Sequence, residues 1–138
     1  MATNGTKYGH LYNWYAVADT RKIAPIGWHV PTDAEWTTLT TYLGGESVAG
    51  GKLKEAGTLN WASPNTDANN STGFSALPGG WLIYNDRFSN VGNYGYWWSS
   101  SEYVATHAVI RGVIYNYSLV DRGYTTKVGG LSVRCIRD

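Results

Sequence analysis

The chain has 138 residues, enough for one domain around a single buried core. Charged residues make up 15% and aromatic residues 14%, with seven Trp and eleven Tyr, a balance that excludes a disordered chain. A formal net charge of +1 offers no basic stripe for nucleic acid, and no apolar run approaches the roughly 20 residues needed to cross a bilayer.

Residues 1–7 read as a short polar, flexible lead without a basic-then-apolar signal segment, and residues 1–138 as a single domain. Leu11 to Val17 is apolar on both faces and is expected to be a first strand, internal or paired with the last. Ile23 to Val30 is a Pro- and Gly-punctuated connection. A helix begins after Pro31, with Thr32 as N-cap and Glu35 three residues later, the pattern of a capping box. Trp36, Leu39, Tyr42 and Leu43 recur at helical spacing, and Gly44-Gly45 ends the element. A second, shorter helix is expected over Val48 to Ala56, weakened by Gly50-Gly51.

Thr58 to Thr72 is a polar loop. Its Asn65 to Asn70 segment has oxygen ligands that would suit calcium, yet reads as an ordinary hydrogen-bonded loop. Phe74 to Tyr84 reads as a strand pair or bent strand with its bend at Pro78-Gly79-Gly80, and Asn85-Asp86-Arg87 as a tight turn before Phe88. A strand centred on Trp97-Trp98 follows. The order of elements implies an α+β domain with a mostly antiparallel sheet.

The C-terminal third carries the functional signal. Arg111, Val113 and Tyr115 alternate with Ile110, Gly112 and Ile114, and beyond Asn116-Tyr117 the alternation resumes, with Ser118, Val120 and Arg122 against Leu119, Asp121 and Gly123. A two-residue turn at Asn116-Tyr117 would set Tyr115 opposite Ser118, Ile114 opposite Leu119 and Val113 opposite Val120, so that the second set projects from one surface. With His107 and Tyr124 just outside, that surface has no chemical theme. A core face would be uniformly apolar and a solvated face mostly polar, so the expectation is a surface displayed to a ligand. Arg111 and Arg122 would lie together and need a carboxylate such as Glu102.

Other features have plainer readings. At this density most of Trp14, Trp28, Trp36, Trp97 and Trp98 are expected in the core, with indole N–H groups finding partners, rather than forming a sugar-stacking platform. His10, His29 and His107 lie on separate elements without metal-ligand spacing, so no metal and no cofactor are expected. Cys135, the sole cysteine, permits no internal disulfide and reads as a small buried hydrophobe beside Val133 in an alternating strand. No nucleophile elbow, phosphate loop or zinc-helix motif is present, and the expected class is non-enzymatic.

The runs Gly9-His10-Leu11-Tyr12-Asn13-Trp14-Tyr15-Ala16 and Gly27-Trp28-His29-Val30-Pro31-Thr32-Asp33-Ala34-Glu35-Trp36 resemble the Fibrobacter succinogenes major paralogous domain. Gly50-Gly51-Lys52-Leu53-Lys54-Glu55, Gly73 to Gly80, Tyr96-Trp97-Trp98-Ser99-Ser100 and Ser132-Val133-Arg134-Cys135 extend the resemblance over Tyr8 to Asp138. It implies a C-type-lectin-like fold, with N- and C-terminal strands paired and two helices flanking a twisted sheet. It also implies a distant relation to formylglycine-generating enzymes, whose cysteine pair or metal-bound thiol pair a single cysteine cannot supply.

Members of this family resemble the variable proteins of diversity-generating retroelements, in which template adenines are randomised. Asparagine codons ending in a pyrimidine yield many residue types but not Trp, Met, Gln, Glu or Lys. Val104 to Leu131 contains no Trp, Met, Gln or Glu, and one lysine, Lys127. The resemblance thus implies ligand-contact positions at Val104, His107, Val109, Ile110, Gly112, Ile114, Tyr117, Leu119, Asp121, Gly123 and Tyr124. The partner expected is a protein on a target cell or surface, with a glycan as the alternative; the alternative functions are a carbohydrate-binding lectin domain of a bacterial surface protein and a divergent formylglycine-generating-like enzyme. Neither nucleic-acid binding nor membrane insertion is expected. Display in several copies would add avidity, at a cell surface, on a virion or otherwise outside the cell.

Overall fold

The computed structural model describes residues 4–82 and 88–138. Among them the chain forms helices α1 (Asn4–Tyr8), α2 (Trp14–Ala18), α3 (Asp33–Tyr42) and α4 (Glu46–Leu53). The strands are β1 (Trp28–His29), β2 (Trp81–Leu82), β3 (Phe88–Ser89), β4 (Tyr94–Val104), β5 (His107–Ile114), β6 (Val120–Thr126) and β7 (Ile136–Arg137). β1 pairs with β7, β2 with β3, and β4–β5–β6 form a three-stranded sheet, all antiparallel. This is an α+β architecture in which the first and last strands pair.

Its start signals act locally. Thr32 Oγ1 accepts from the Glu35 amide (3.2 Å) while the Thr32 amide donates to Glu35 Oε2 (2.8 Å), so the capping box forms. α4 runs from Glu46 to Leu53, earlier than expected, and keeps Gly50 and Gly51 inside it. A Cβ on Gly50 would strike the Leu119 carbonyl oxygen, and one on Gly51 would lie 2.6 Å from the Asp67 carbonyl oxygen. The two glycines therefore weaken the helix intrinsically but let two loops rest directly on it.

The sheet carries a packed cluster on each side. Trp97, Val113 and Val120 pack with Trp36, Leu43, Ala49, Leu53, Trp61 and Ala76 beneath α3 and α4. Trp98, Ala108 and Ile110 pack on the other side with Trp14 of α2 and with Leu131. Trp14, Trp36, Trp97 and Trp98 are buried, as expected, whereas Trp28 is 43% exposed. The indoles of Trp14, Trp61 and Trp98 donate to the carbonyls of Ser99, Ala76 and Tyr12, while Trp36 Nε1 has no partner.

Four expectations are corrected. The segment Leu11–Val17 is not a strand: the Asn13 side chain accepts from the Ala16 amide and caps α2, leaving one bridge between Tyr12 and Leu131. Asn116-Tyr117 is not a two-residue turn. The register Val113–Val120, Gly112–Asp121 and Arg111–Arg122 is as expected, but the ladder stops at Val113–Val120 and the loop opens beyond it. Lys54, fully buried, donates from Nζ to the carbonyls of Thr66 (2.9 Å), Ile114 (3.0 Å) and Tyr117 (2.8 Å), holding that loop outward against α4.

The carboxylate between Arg111 and Arg122 is Asp33 in the first turn of α3, at 2.7 Å from each, because Glu102 pairs with Lys127 at 2.6 Å. Cys135 precedes β7 outside any strand and is half-buried; that burial raises its thiol pKa. Ile83-Tyr84 and the expected turn Asn85-Asp86-Arg87 lie outside the described residues.

Candidate ligand-binding face

The antiparallel register fixes which side chains share a face. Tyr94, Tyr96 and Trp98 on β4 stand opposite Ile114, Gly112 and Ile110 on β5, and these neighbour Asp121 and Gly123 on β6. This is the side turned away from α3 and α4. Trp14 and Leu131 cover it around Trp98 and Ile110, and the rest opens into a hollow of about 250 Å³. Trp81, Tyr96, Ile110, Asp121, Gly123 and Thr125 line the hollow, with Tyr124 and Leu131 at its margin.

Aromatic packing fixes one wall of this hollow. The Trp81 ring meets Tyr94 and Tyr96 edge-on at centroid distances of 5.1 and 5.2 Å, and the two tyrosines stack at 5.9 Å. Tyr96 lies over Gly112, where an added Cβ would enter its ring. Gly123 differs: a Cβ there would find only Ile110 side-chain atoms, at 3.8 and 3.9 Å, so that position has room to carry a side chain. Burial, then the charge of nearby Asp121, pushes the Tyr96 hydroxyl up to about 12.

Two further surfaces lie at the ends of the sheet. β5 has eight residues, so its ends lie about 23 Å apart. At one end the Tyr103 and Tyr124 rings stack at 4.1 Å, His107 meets Tyr124 edge-on at 5.9 Å, and Val104 is 47% exposed. At the other end the loop held by Lys54 leaves Tyr117 51% exposed.

The eleven expected contact positions are thus not one surface. Asp121 and Gly123 border the hollow, Ile114 and Leu119 are half-buried toward the loop, and Tyr117 is exposed on it. Val104, His107 and Tyr124 form the separate aromatic end, and His107, Val109 and Tyr124 share the parity of Arg111 and Val113 rather than that of Ile110. Three positions are corrected as display sites. Val109 is 6% exposed, Ile110 is 8% exposed because Trp14 and Leu131 cover it, and Gly112 is buried beneath Tyr96. Trp81, Tyr96, Tyr103 and Thr125 were missed; the alternation Tyr94, Tyr96, Trp98, set against the β5 register, was the available signal for Tyr96.

The cleft between α3 and the C-terminal segment, about 280 Å³ and lined by Trp36, Leu39, Phe74 and Cys135, is of similar size. Its charged groups are already engaged: Glu35 with Thr32 and His29, and Arg134 with the Phe74 carbonyl and ring. On the helix side of the sheet, hydrogen bonds from Arg122 hold the Asp33 carboxyl below its usual range, helped by Arg111. These pairs brace the frame, and among the described residues no ion pair engages Asp121 in the hollow on the opposite side.

What emerges is an α+β domain whose sheet is locked by helices on one side and partly open on the other. The Fibrobacter succinogenes major domain model matches residues 1–137, and the chain belongs to that family. Comparison with curated proteins and with solved structures found no match.

Proposed function

We propose that this domain is a non-enzymatic recognition module of C-type-lectin-like fold, the variable protein of a diversity-generating retroelement. It would grip a protein ligand through the open side of β4–β5–β6 and the surfaces at its two ends. The observation that carries this is the contrast along β5, β6 and the loop between them: Arg111, Val113 and Val120 are fixed by the core, while Asp121, Gly123, Leu119 and Tyr117 beside them are chemically unrelated and reach solvent. Tyrosines supply rigid amphipathic area and small residues adaptability, as in an antibody paratope. Burial of such a patch contributes about 25 cal/mol per Å² of apolar area before association costs, so display in several copies on a virion or cell surface would raise avidity.

Sequencing sibling copies of the gene with its near-copy tests the proposal. Substitutions concentrated at adenine positions of codons 104–124 are expected; an even scatter along the chain would refute it. The aromatic wall of Trp81 and Tyr96 favours one second reading, a carbohydrate-binding lectin of a bacterial surface protein. Binding on a glycan array that disappears with chelator would decide for that reading.

A further inference from the structure

We propose that the hollow beside Trp81 receives a cationic group of the ligand, an arginine or lysine side chain of a protein partner. The inference rests on the open face being a recognition surface and names the chemistry it selects. Asp121 is half-buried on the rim, yet the ion pairs among the described residues use Asp19, Asp33, Glu35, Glu102 and Asp138 and leave it out. The nearest basic residue in sequence, Arg122, points to the opposite face and is committed to Asp33.

The Tyr96 hydroxyl lies near the Asp121 carboxylate, which has acceptor capacity for several donors. A carboxylate partly withdrawn from water favours an opposite charge, and the guanidinium of arginine fits it with two parallel donors.

The wall supplies the second element of cation recognition. Trp81 and Tyr96 line the hollow, and aromatic rings attract a cation through their quadrupole. Gly123 and Ile110 leave the floor unobstructed for an aliphatic stem, and about 250 Å³ is ample for one arginine side chain. Asp121 is the one charged side chain among the residues that line the hollow, beside the Trp81 indole N–H and the hydroxyls of Tyr96, Tyr124 and Thr125, and a neutral sugar would leave that charge without a partner.

The test is NMR titration of the full 15N-labelled chain with N-acetylarginine amide, N-acetyllysine amide, neutral N-acetylcitrulline amide and methyl β-galactoside. The Trp81 indole and Gly123 amide signals are the reporters. The arginine probe is expected to shift both and to saturate at millimolar concentration, about tenfold above the citrulline probe in affinity. D121N should erase that difference while the Trp14 and Trp98 indole signals stay in place. G123L, which fills the hollow without touching the charge, should block the arginine probe.

Equal binding of citrulline and arginine, or unchanged arginine binding in both variants, would overturn the inference. Saturation by the galactoside without the arginine probe would overturn it too, and would leave the recognition face standing. Failure of that face itself is read separately, from the scatter of sibling substitutions.

Discussion

On one side of the β4–β5–β6 sheet, Arg111 is 1% exposed and braced against Asp33 and Thr37, with Val113 and Val120 sealed beneath α3 and α4. On the other side, one residue along each strand, Gly112 only seats a ring and Gly123 faces open space. Period-two alternation alone separates the two regimes. A fold can therefore keep one side of a strand intolerant and the other permissive, provided that the intolerant side carries the core. Ile110 shows where the permissive side ends, at the point where Trp14 covers it.

The largest contrast should come from R111A. Removing one partner of this buried pair is expected to cost about 3–5 kcal/mol in urea unfolding, since Asp33 would keep only Arg122, whose side chain is half exposed. A comparison of two glycines is finer. G112A should cost about 1–3 kcal/mol, because its Cβ enters the Tyr96 ring, and G123A should stay within about 0.5 kcal/mol. Equal costs for the two would break the division between a seated and an open position.

The alkaline stability profile tests the same packing. Burial holds the Lys54 pKa down to about 8 from 10.5. Between those values the unfolded chain keeps a proton that the folded chain has released, so stability climbs with pH. Tyr96 works in reverse: raised to about 12 from 10.0, it keeps its proton after the unfolded chain has lost it, so stability falls above pH 10. Urea midpoints between pH 7 and 11 should pass through a maximum near pH 10. K54M should flatten the rise and Y96F the fall.

A smaller effect belongs to the β1–β7 pair. His29 Nδ1 lies 2.7 Å from Asp138 and Nε2 lies 2.8 Å from Glu35, and these hydrogen bonds, led by that to Asp138, raise its pKa above 6.5. A raised folded pKa contributes stability in full below 6.5 and loses it as pH rises through the folded value. The protection factor of the Asp138 amide, bonded to the Gly27 carbonyl at 3.0 Å, should fall over that rise once the intrinsic pH dependence of exchange is divided out, and H29Q should remove the fall.

Signals confined to a few neighbouring residues were legible in the sequence: the Thr32–Glu35 capping box, the Gly44-Gly45 stop and the β5–β6 register. Those that depend on distant partners were not. Leu11–Val17 has strand-like composition, and its helix rests on the Asn13 cap together with the tertiary role of Trp14 against Ser99 and Lys127. The 115–119 loop was misjudged because its shape is set by Lys54, some sixty positions earlier in the chain. For the face itself, alternation identified Asp121 and Gly123, while Trp81 arrives from another segment that no local pattern ties to β6.

The most direct measurement is saturation mutagenesis of both sides of the sheet, with variants sorted by protease resistance. Tyr117, Leu119, Asp121 and Gly123 are expected to accept most residue types without loss of folding, while Trp97, Arg111, Val113 and Val120 accept few. If Asp121 and Gly123 proved as restricted as Val113 and Val120, a rigid frame carrying a freely variable face would be contradicted.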